Sequence, residues 1–180
     1  MTRMETERLI LRNWSEADLE PWLALNTEPV MRWLGGVRTR ERSLATVTER
    51  LMPWQEQHGF TFWAVERKAD RVLLGFCGLK IADDPGSPVE GEYEIGWRLR
   101  EDAWGQGYAK EAATASLDHA FRERDAARVV ALTVEGNAAS WGLMERLGMT
   151  RRPDLDYRGP DWAEGMVIVY VIERNEWPSS

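Results

Sequence analysis

The sequence predicts one α/β domain spanning residues 1–180, with a mixed central sheet and helices on both of its faces. Segments with the two-residue hydrophobic period of strands alternate with segments that have the helical period. They follow the order strand, helices, three strands, helix, strand, helix, two strands. In the middle, a strand, a glycine turn, a helix and another strand form a right-handed βαβ unit. No linker, repeat or low-complexity tract divides the chain.

The N-terminal part is predicted to contain one strand and then helices. Residues 7–13 (ERLILRN) have a strand pattern. Ser15, with Asp18 three residues later, is typical of a helix start. Thr39 can cap a second helix, in which apolar residues recur at helical spacing, and Pro53 is expected to kink or restart that helix.

The middle of the chain changes to strand periodicity. Residues 60–67 and 71–82 are β-type runs joined by a short turn, so they predict a hairpin. Residues 83–91 form a loop rich in Pro, Gly and Asp, and the alternating residues 92–100 predict the next strand. The remaining predicted elements are a helix at 109–124, a strand at 127–135, a helix at 137–147 and strands at 149–157 and 165–173.

Composition limits the possible functions. The chain has 23 Lys and Arg against 30 Asp and Glu, a net charge of -7, so a broad nucleic-acid surface is not expected. An acidic chain suits a cationic amine as substrate, although acidity also simply maintains solubility. One cysteine and two distant histidines predict neither disulfides nor a metal site. Because no signal peptide or membrane-length apolar run is visible, we expect a cytoplasmic protein without membrane partners.

The segment WGQGYA, residues 104–109, is the clearest candidate binding motif. A strand that ends in a glycine turn and opens a helix directs several unbonded backbone N–H groups at one point, where a phosphate can bind. By itself the pair Gly105 and Gly107 equally fits a plain tight turn. Lys110 stands where a dinucleotide fingerprint needs a third glycine, and the Gly-Lys-Ser/Thr of a nucleotide loop is absent.

Two motifs together, LREDAWGQGYAKEA and NAASWGLMERLGM, resemble the GCN5-related N-acetyltransferase (GNAT) superfamily, and within it the branch that acetylates ribosomal-protein N-termini and small amines. The resemblance implies a GNAT-like, mostly antiparallel mixed sheet, acetyl-CoA as co-substrate without a metal, and a possible homodimer. The family's turn, Gln/Arg-x-x-Gly-x-Gly/Ala, falls on Trp104, Gly107 and Ala109. Trp104 departs from Gln/Arg, but backbone N–H groups do the binding.

The resemblance also implies which residues hold the cofactor. The turn would bind its pyrophosphate, the strand before it would offer backbone N–H groups to the acetyl carbonyl and pantetheine, and the NAAS segment would contact pantetheine and sulfur. From the residues alone, that segment equally reads as a helix start in which Asn137 caps N–H groups. The implied cofactor-binding residues are Trp97, Arg98, Leu99, Trp104, Gly105, Gln106, Gly107, Tyr108, Ala109, Asn137 and Ser140.

Amide formation requires a neutral amine, a stabilised oxyanion and a proton for the departing thiolate. Glu94 is the candidate base, directly or through a water, with Glu92 as its substitute; both also fit a solvated strand face. The resemblance implies that Ser140 lies near the cofactor sulfur, which makes it the candidate proton donor to the thiolate. Direct transfer needs no covalent intermediate, so Cys77 is expected to be a buried strand residue. An α-amine, with a pKa of about 8, is more easily deprotonated than lysine.

Acceptor selection is expected to fall to residues 29–58, 83–91 and 153–164, because loops on a rigid scaffold carry specificity. Acidic residues there either attract a cationic acceptor or solvate the loops; they are Asp83, Asp84, Glu90, Asp154, Asp156, Asp161 and Glu164. A protein N-terminus, a polyamine, an aminoglycoside-like drug and an amino acid all remain open as acceptors. The functional alternative to an acyltransferase is a catalytically silent acyl-CoA-binding regulatory module.

Overall fold

A computed structural model describes residues 2–160, 163 and 165–178. The described residues form one sheet of nine strands in the order β1-β2-β3-β4-β5-β6-β9-β7, with β8 also paired to β9. The strands are β1 Arg3–Glu5, β2 Leu9–Arg12, β3 Phe62–Arg67, β4 Leu73–Ile81, β5 Tyr93–Leu99, β6 Arg128–Val134, β7 Thr150–Arg151, β8 Tyr157–Arg158 and β9 Met166–Glu173.

The helices fall into an N-terminal group and two later helices. The α-helices are α1 Leu19–Trp22, α2 Glu28–Met31, α3 Arg40–Ala45, α4 Met52–His58, α5 Tyr108–Arg122 and α6 Ala138–Arg146. As expected, Asp18 and Ser15 form the helix start, where the Asp18 carboxylate accepts the Ser15 N–H at 2.9 Å. A π-helical stretch, Thr46–Leu51, joins α3 to α4. Pro53 lies in the first turn of α4, where its missing N–H costs least, so the helix restarts there.

The sheet is mixed and mostly antiparallel, as the sequence predicts. Among the described strands, only β5 and β6 pair in parallel, and α5 connects them, which confirms the predicted βαβ unit. The remaining neighbours, from β1 with β2 to β8 with β9, pair antiparallel.

Side chains alternate between two cores because successive strand residues point to opposite faces. Trp63 and Val65 of β3 pack in the core that contains α5, whereas Ala64 between them packs in the core formed with the N-terminal helices. The face of α5 is lined by small residues, including Ala112 and Ala113, which are fully buried. These small side chains let α5 approach β4 and β5 closely.

The structure departs from the prediction in two places: one predicted strand is wrong, and one observed strand is not predicted. Residues 149–157 do not form one strand, because a 3-10 turn, Pro153–Leu155, separates β7 from β8. Pro153 has no N–H to donate to a ladder, so the strand cannot continue through it. The short strand β1, which extends the sheet beyond β2, has no counterpart in the prediction.

Within the described ranges, no helix has the length and apolarity needed to cross a bilayer. The same part of the chain contains no cluster of three or more His, Cys, Asp or Glu side chains that could hold a metal ion. Asp161 and Glu164, two of the acidic loop residues named above, lie outside the described residues.

Candidate active site

A cleft opens where the two parallel strands separate. Strands β5 and β6 are paired only from Tyr93 with Val129 to Ile95 with Ala131. Beyond Ile95 the strands diverge and leave a cavity of about 720 Å³ between them. Its lining includes backbone and side chains of β5, the glycine turn, the first turns of α5 and α6, and α2 with the residues that follow it.

The structure brings nearly all the sequence-predicted site residues into this cleft. Those that line it are Glu94, Trp97, Arg98, Leu99, Trp104, Gly105, Gly107, Tyr108, Ala109, Asn137 and Ser140. Gln106 does not line it. Its side-chain amide instead donates to the Asp102 carbonyl at 2.8 Å, so Gln106 stabilises the turn from outside.

The glycine turn has the geometry of an anion site. Gly105 and Gly107 have φ values of +70° and +81°, in the left-handed region where glycine is unstrained. The N–H groups of residues 105–110 donate to no acceptor in the described protein, and the next N–H, that of Glu111, bonds the Gly107 carbonyl. These free donors and the positive end of the α5 dipole converge on one point.

Two contacts that fix this turn are missed by sequence reasoning. The Arg8 guanidinium donates to the Gln106 carbonyl at 2.9 Å, forms an ion pair with Glu111 at 2.7 Å and lies over the Tyr108 ring. The Trp104 indole donates to the Leu99 carbonyl at 2.9 Å, which ties the turn to the end of β5. Arg8 lies far from the turn in sequence, so no local pattern could indicate its role.

Asn137 and Ser140 present free polar groups to the cleft. Asn137 occupies the N-cap position of α6, but its side chain makes no capping bond, so that interpretation of the side chain is wrong. Its backbone carbonyl accepts the Ser140 N–H at 3.0 Å instead. Neither side chain has a hydrogen-bond partner within the described residues, so both are available to a ligand.

Glu94 is a largely buried carboxylate that lines the cleft. Its side chain is only 13% exposed and lies 3.3 Å from the Lys80 ammonium on β4. Burial raises the pKa of Glu94 to about 7, and the Lys80 charge offsets part of that rise. Glu92, the proposed substitute, does not line the cleft and pairs with Arg128 at 2.6 Å. A carboxyl with a pKa near neutrality is suited to accept a proton at physiological pH.

The face of the cleft opposite α5 has an aromatic floor. Phe62 and Phe76 stack with ring centroids 4.9 Å apart, and both line the cavity. Gly96 allows this packing, since a Cβ there would lie 2.8 Å from the Phe62 ring. Trp33, after α2, closes one side of the cleft by packing against Gly136. From the sequence, residues 29–58 are expected to contribute to acceptor selection, but Trp33 is not singled out within that range.

The acidic loop side chains described by the structure are already engaged. Asp83 pairs with Lys80 at 2.8 Å, and Asp84 accepts a hydrogen bond from the Tyr157 hydroxyl. The others bond partners in their own loops: Glu90 with the Gly86 N–H, Asp154 with Arg152 and Asp156 with Arg151. These carboxylates therefore order the loops and leave little free negative charge for a cationic acceptor.

Cys77 is buried on β4, as expected, with its sulfur 3.7 Å from the Ser116 hydroxyl. Burial raises the pKa of its thiol from 9.0 to about 12, which lowers the thiolate fraction roughly a thousandfold. We expect the native protein not to react with an aromatic disulfide reagent over the minutes of an assay, and one thiol to react after denaturation. Stoichiometric reaction of the native protein would contradict the burial of Cys77.

Comparisons with known proteins identify the family of the chain. The Acetyltransferase (GNAT) domain model matches residues 8–150. The chain is 33% identical over 180 residues to the uncharacterized N-acetyltransferase YnaD of Bacillus subtilis, covering 96% of this chain and 97% of that protein. It is 36% identical over 99 residues to the FsC-acetyl coenzyme A-N(2)-transacetylase of Aspergillus fumigatus, covering 53% of this chain and 42% of that protein.

Comparison with solved structures finds the same fold in a GNAT-family acetyltransferase. A GNAT-family acetyltransferase from Bacillus anthracis matches with a TM-score of 0.79 at 24% identity, over 97% of this chain and 99% of that one, which shows a shared fold. The family model spans more than half of the chain and includes β2 to α6, with both the glycine turn and the NAAS segment. The protein therefore belongs to the GNAT acetyltransferase family.

Proposed function

We propose that the protein is an acetyl-CoA-dependent N-acetyltransferase that transfers the acetyl group directly to a primary amine. Membership of the family and a relative whose name includes acetyl coenzyme A support this cofactor. The free N–H groups of residues 105–110 suit the CoA pyrophosphate, and the unpaired Asn137 amide suits the pantetheine arm. The narrower assignment to the ribosomal-protein branch stays a prediction from the two motifs.

The observation that carries the proposal is the position of Glu94 in the inner cleft, with a pKa of about 7. The acceptor ammonium gives one proton to the Glu94 carboxylate, directly or through a water. The neutral nitrogen then attacks the thioester carbonyl carbon and forms the C–N bond. Backbone N–H groups on the diverging part of β5 are suited to hold the oxyanion.

Collapse of the tetrahedral intermediate breaks the C–S bond and releases CoA as a thiolate. In our proposal the Ser140 hydroxyl donates a proton to this sulfur, and the second proton of the attacking nitrogen returns to Ser140 through solvent. The Ser140 side chain lines the cleft and has no competing protein partner in the described residues. The products are the N-acetylamine and free CoA.

The experiment is a free-thiol release assay with acetyl-CoA and a panel of primary amines, in parallel with a direct measurement of CoA binding. Because Cys77 is buried, the thiol signal reports CoA alone. We expect amine-dependent release above the rate of acetyl-CoA hydrolysis. Tight CoA binding with no release for any amine would contradict the proposal and favour the regulatory-module alternative.

Replacing Ser140 with alanine is expected to reduce kcat roughly a hundredfold, at the lower end of the range of general-acid contributions. The dissociation constant of CoA should change little, because the hydroxyl is proposed to act on the leaving sulfur. Steady-state kinetics and CoA titration of Ser140→Ala measure the two effects separately. An unchanged kcat would remove Ser140 from the mechanism and leave the thiolate to be protonated by water.

A further inference from the structure

A partly buried arginine, Arg98, lies on the acceptor side of the cleft. Arg98 follows Glu94 by four residues on β5, so both side chains point to the face opposite α5. Its guanidinium carbon lies 5.4 Å from the Trp22 ring and 5.2 Å from the Phe76 ring. Its Nε is buried without any hydrogen-bond acceptor, and the residue lines the cleft. Sequence reasoning assigned only the backbone of Arg98 a role.

No carboxylate neutralises this charge. Arg98 forms no ion pair within the described residues, and the charged groups that act on it are two further arginines, Arg38 and Arg50. Arg38 bonds only neutral oxygens, the Thr46 hydroxyl at 3.2 Å and the Leu34 carbonyl at 3.3 Å. Burial, followed by repulsion from Arg38 and Arg50, lowers the pKa of Arg98 to about 9, so it remains cationic at neutral pH.

A buried charge without a counter-ion is costly, and such a group in a cleft is typical of a binding site. The nearest cleft-lining charge on the same face of β5, Glu94, is balanced by Lys80, which also pairs with Asp83. Arg98 has no such partner within the described residues. A guanidinium fork matches a carboxylate in bidentate geometry.

We propose that Arg98, with the positive field of Arg38 and Arg50, binds a carboxylate of the acceptor, so that the acceptor is a primary amine that also carries a carboxylate. This inference rests on the proposed acetyltransferase function and names its substrate class. The amine would lie toward Glu94 and the carboxylate toward Arg98. Between them, the stacked Phe62 and Phe76 rings provide an apolar surface for the carbon skeleton.

The spacing of Glu94 and Arg98 along β5 bears on the distance between the amine and the carboxylate of the acceptor. The Cα atoms of Glu94 and Arg98 are roughly 13 Å apart at about 3.3 Å per residue, and both side chains stand on the same face of the strand. The two side chains and the acceptor together span this distance, and an amino acid is the simplest acceptor that carries both groups. A polyamine places a second ammonium near Arg98 and would be repelled.

The test compares matched acceptors with the wild-type protein: an amino acid, its primary amide and the amine that lacks the carboxyl group. We expect kcat/KM for the amino acid to exceed that for the amide roughly ten- to hundredfold, the value of a charge-assisted pair. An aminoalkylphosphonate and a short peptide amide extend the series. Preference for phosphonate over carboxylate, or for polyamines over both, would overturn the carboxylate assignment.

Arg98 variants identify the residue responsible. In Arg98→Met the preference for the amino acid over its amide should disappear, through a higher KM for the amino acid. Arg98→Lys should retain part of the preference, since it keeps the charge but loses the fork. The matched control is Arg152→Met, which also removes one positive charge but from an exposed pair with Asp154.

The two proposals fail in different ways. If wild-type protein acetylates the acid and the amide equally well, the carboxylate inference is wrong and the acetyltransferase function stands. If CoA binds but no amine is acetylated, the proposed function itself is wrong. Should Arg98→Met not fold, as judged by its thermal melt, the wild-type series and Arg98→Lys still decide the result.

Discussion

Replacing Glu94 with glutamine is expected to reduce kcat/KM for the amine by roughly two to three orders of magnitude, the usual contribution of a positioned general base. Glutamine keeps the shape of the side chain but cannot accept the ammonium proton. Lys80 retains its other partner, Asp83 at 2.8 Å, so the local structure should persist. Steady-state kinetics measure the loss, and the thermal melt verifies folding.

The pH dependence of the activity is an independent test of Glu94 as the base. Because the base works only when it is deprotonated, wild-type activity should fall as the pH drops below about 7, the pKa of Glu94. In Glu94→Gln this limb should disappear from the residual activity. Glu92→Gln is the control, because Glu92 pairs with Arg128 away from the cleft and should leave the profile unchanged. A full-activity Glu94→Gln variant would show that solvent alone removes the proton.

Replacing Gly107 with tryptophan is expected to weaken CoA binding by roughly two orders of magnitude or more, because several charge-assisted bonds to the pyrophosphate are lost together. A large side chain at the start of α5 would occupy the point on which the N–H groups converge. The introduced Cβ lies 3.4 Å from the Arg8 guanidinium, which also braces the turn. Calorimetric titration with CoA measures the change.

Gly148→Trp is the matched control for this variant. Gly148 has a φ of +84°, close to the +81° of Gly107, and open space around its missing Cβ. Both variants therefore carry a similar left-handed backbone strain of about 1–2 kcal/mol, but only one obstructs the turn. Acetyl-pantetheine, which lacks the pyrophosphate, should be used equally by Gly107→Trp and wild type. Unchanged CoA affinity in Gly107→Trp would place the pyrophosphate elsewhere.

Local patterns in the sequence predict the elements that form the proposed cofactor site. A strand, the pair Gly105 and Gly107, and a helix are contiguous, so their hydrogen-bonding consequences follow from chain geometry alone. The parallel pairing of β5 and β6 follows from the same segment, because a helix connects them. The individual cleft-lining residues on β5 and α6 are instead what the resemblance to the GNAT superfamily implies.

The charged groups that contact the site residues from other parts of the chain could not be predicted from local patterns. Lys80 beside Glu94, Arg8 at the Gln106 carbonyl, and Arg38 near Arg98 all come from distant parts of the chain. Their partners depend on sheet order and register, which periodicity does not specify. The partners of the loop carboxylates could not be predicted either, because the sequence does not show which residues the fold brings next to them.

Single-turnover transfer of an isotopically labelled acetyl group from acetyl-CoA to an amine tests the central claim most directly. With wild-type protein, we predict that the label appears on the amine in one-to-one ratio with released CoA, and that none remains on the protein. Glu94→Gln should slow this step while CoA stays bound. Label retained on Cys77, Ser140 or another side chain, or bound acetyl-CoA that is never transferred to an amine, would contradict direct transfer in the β5–β6 cleft.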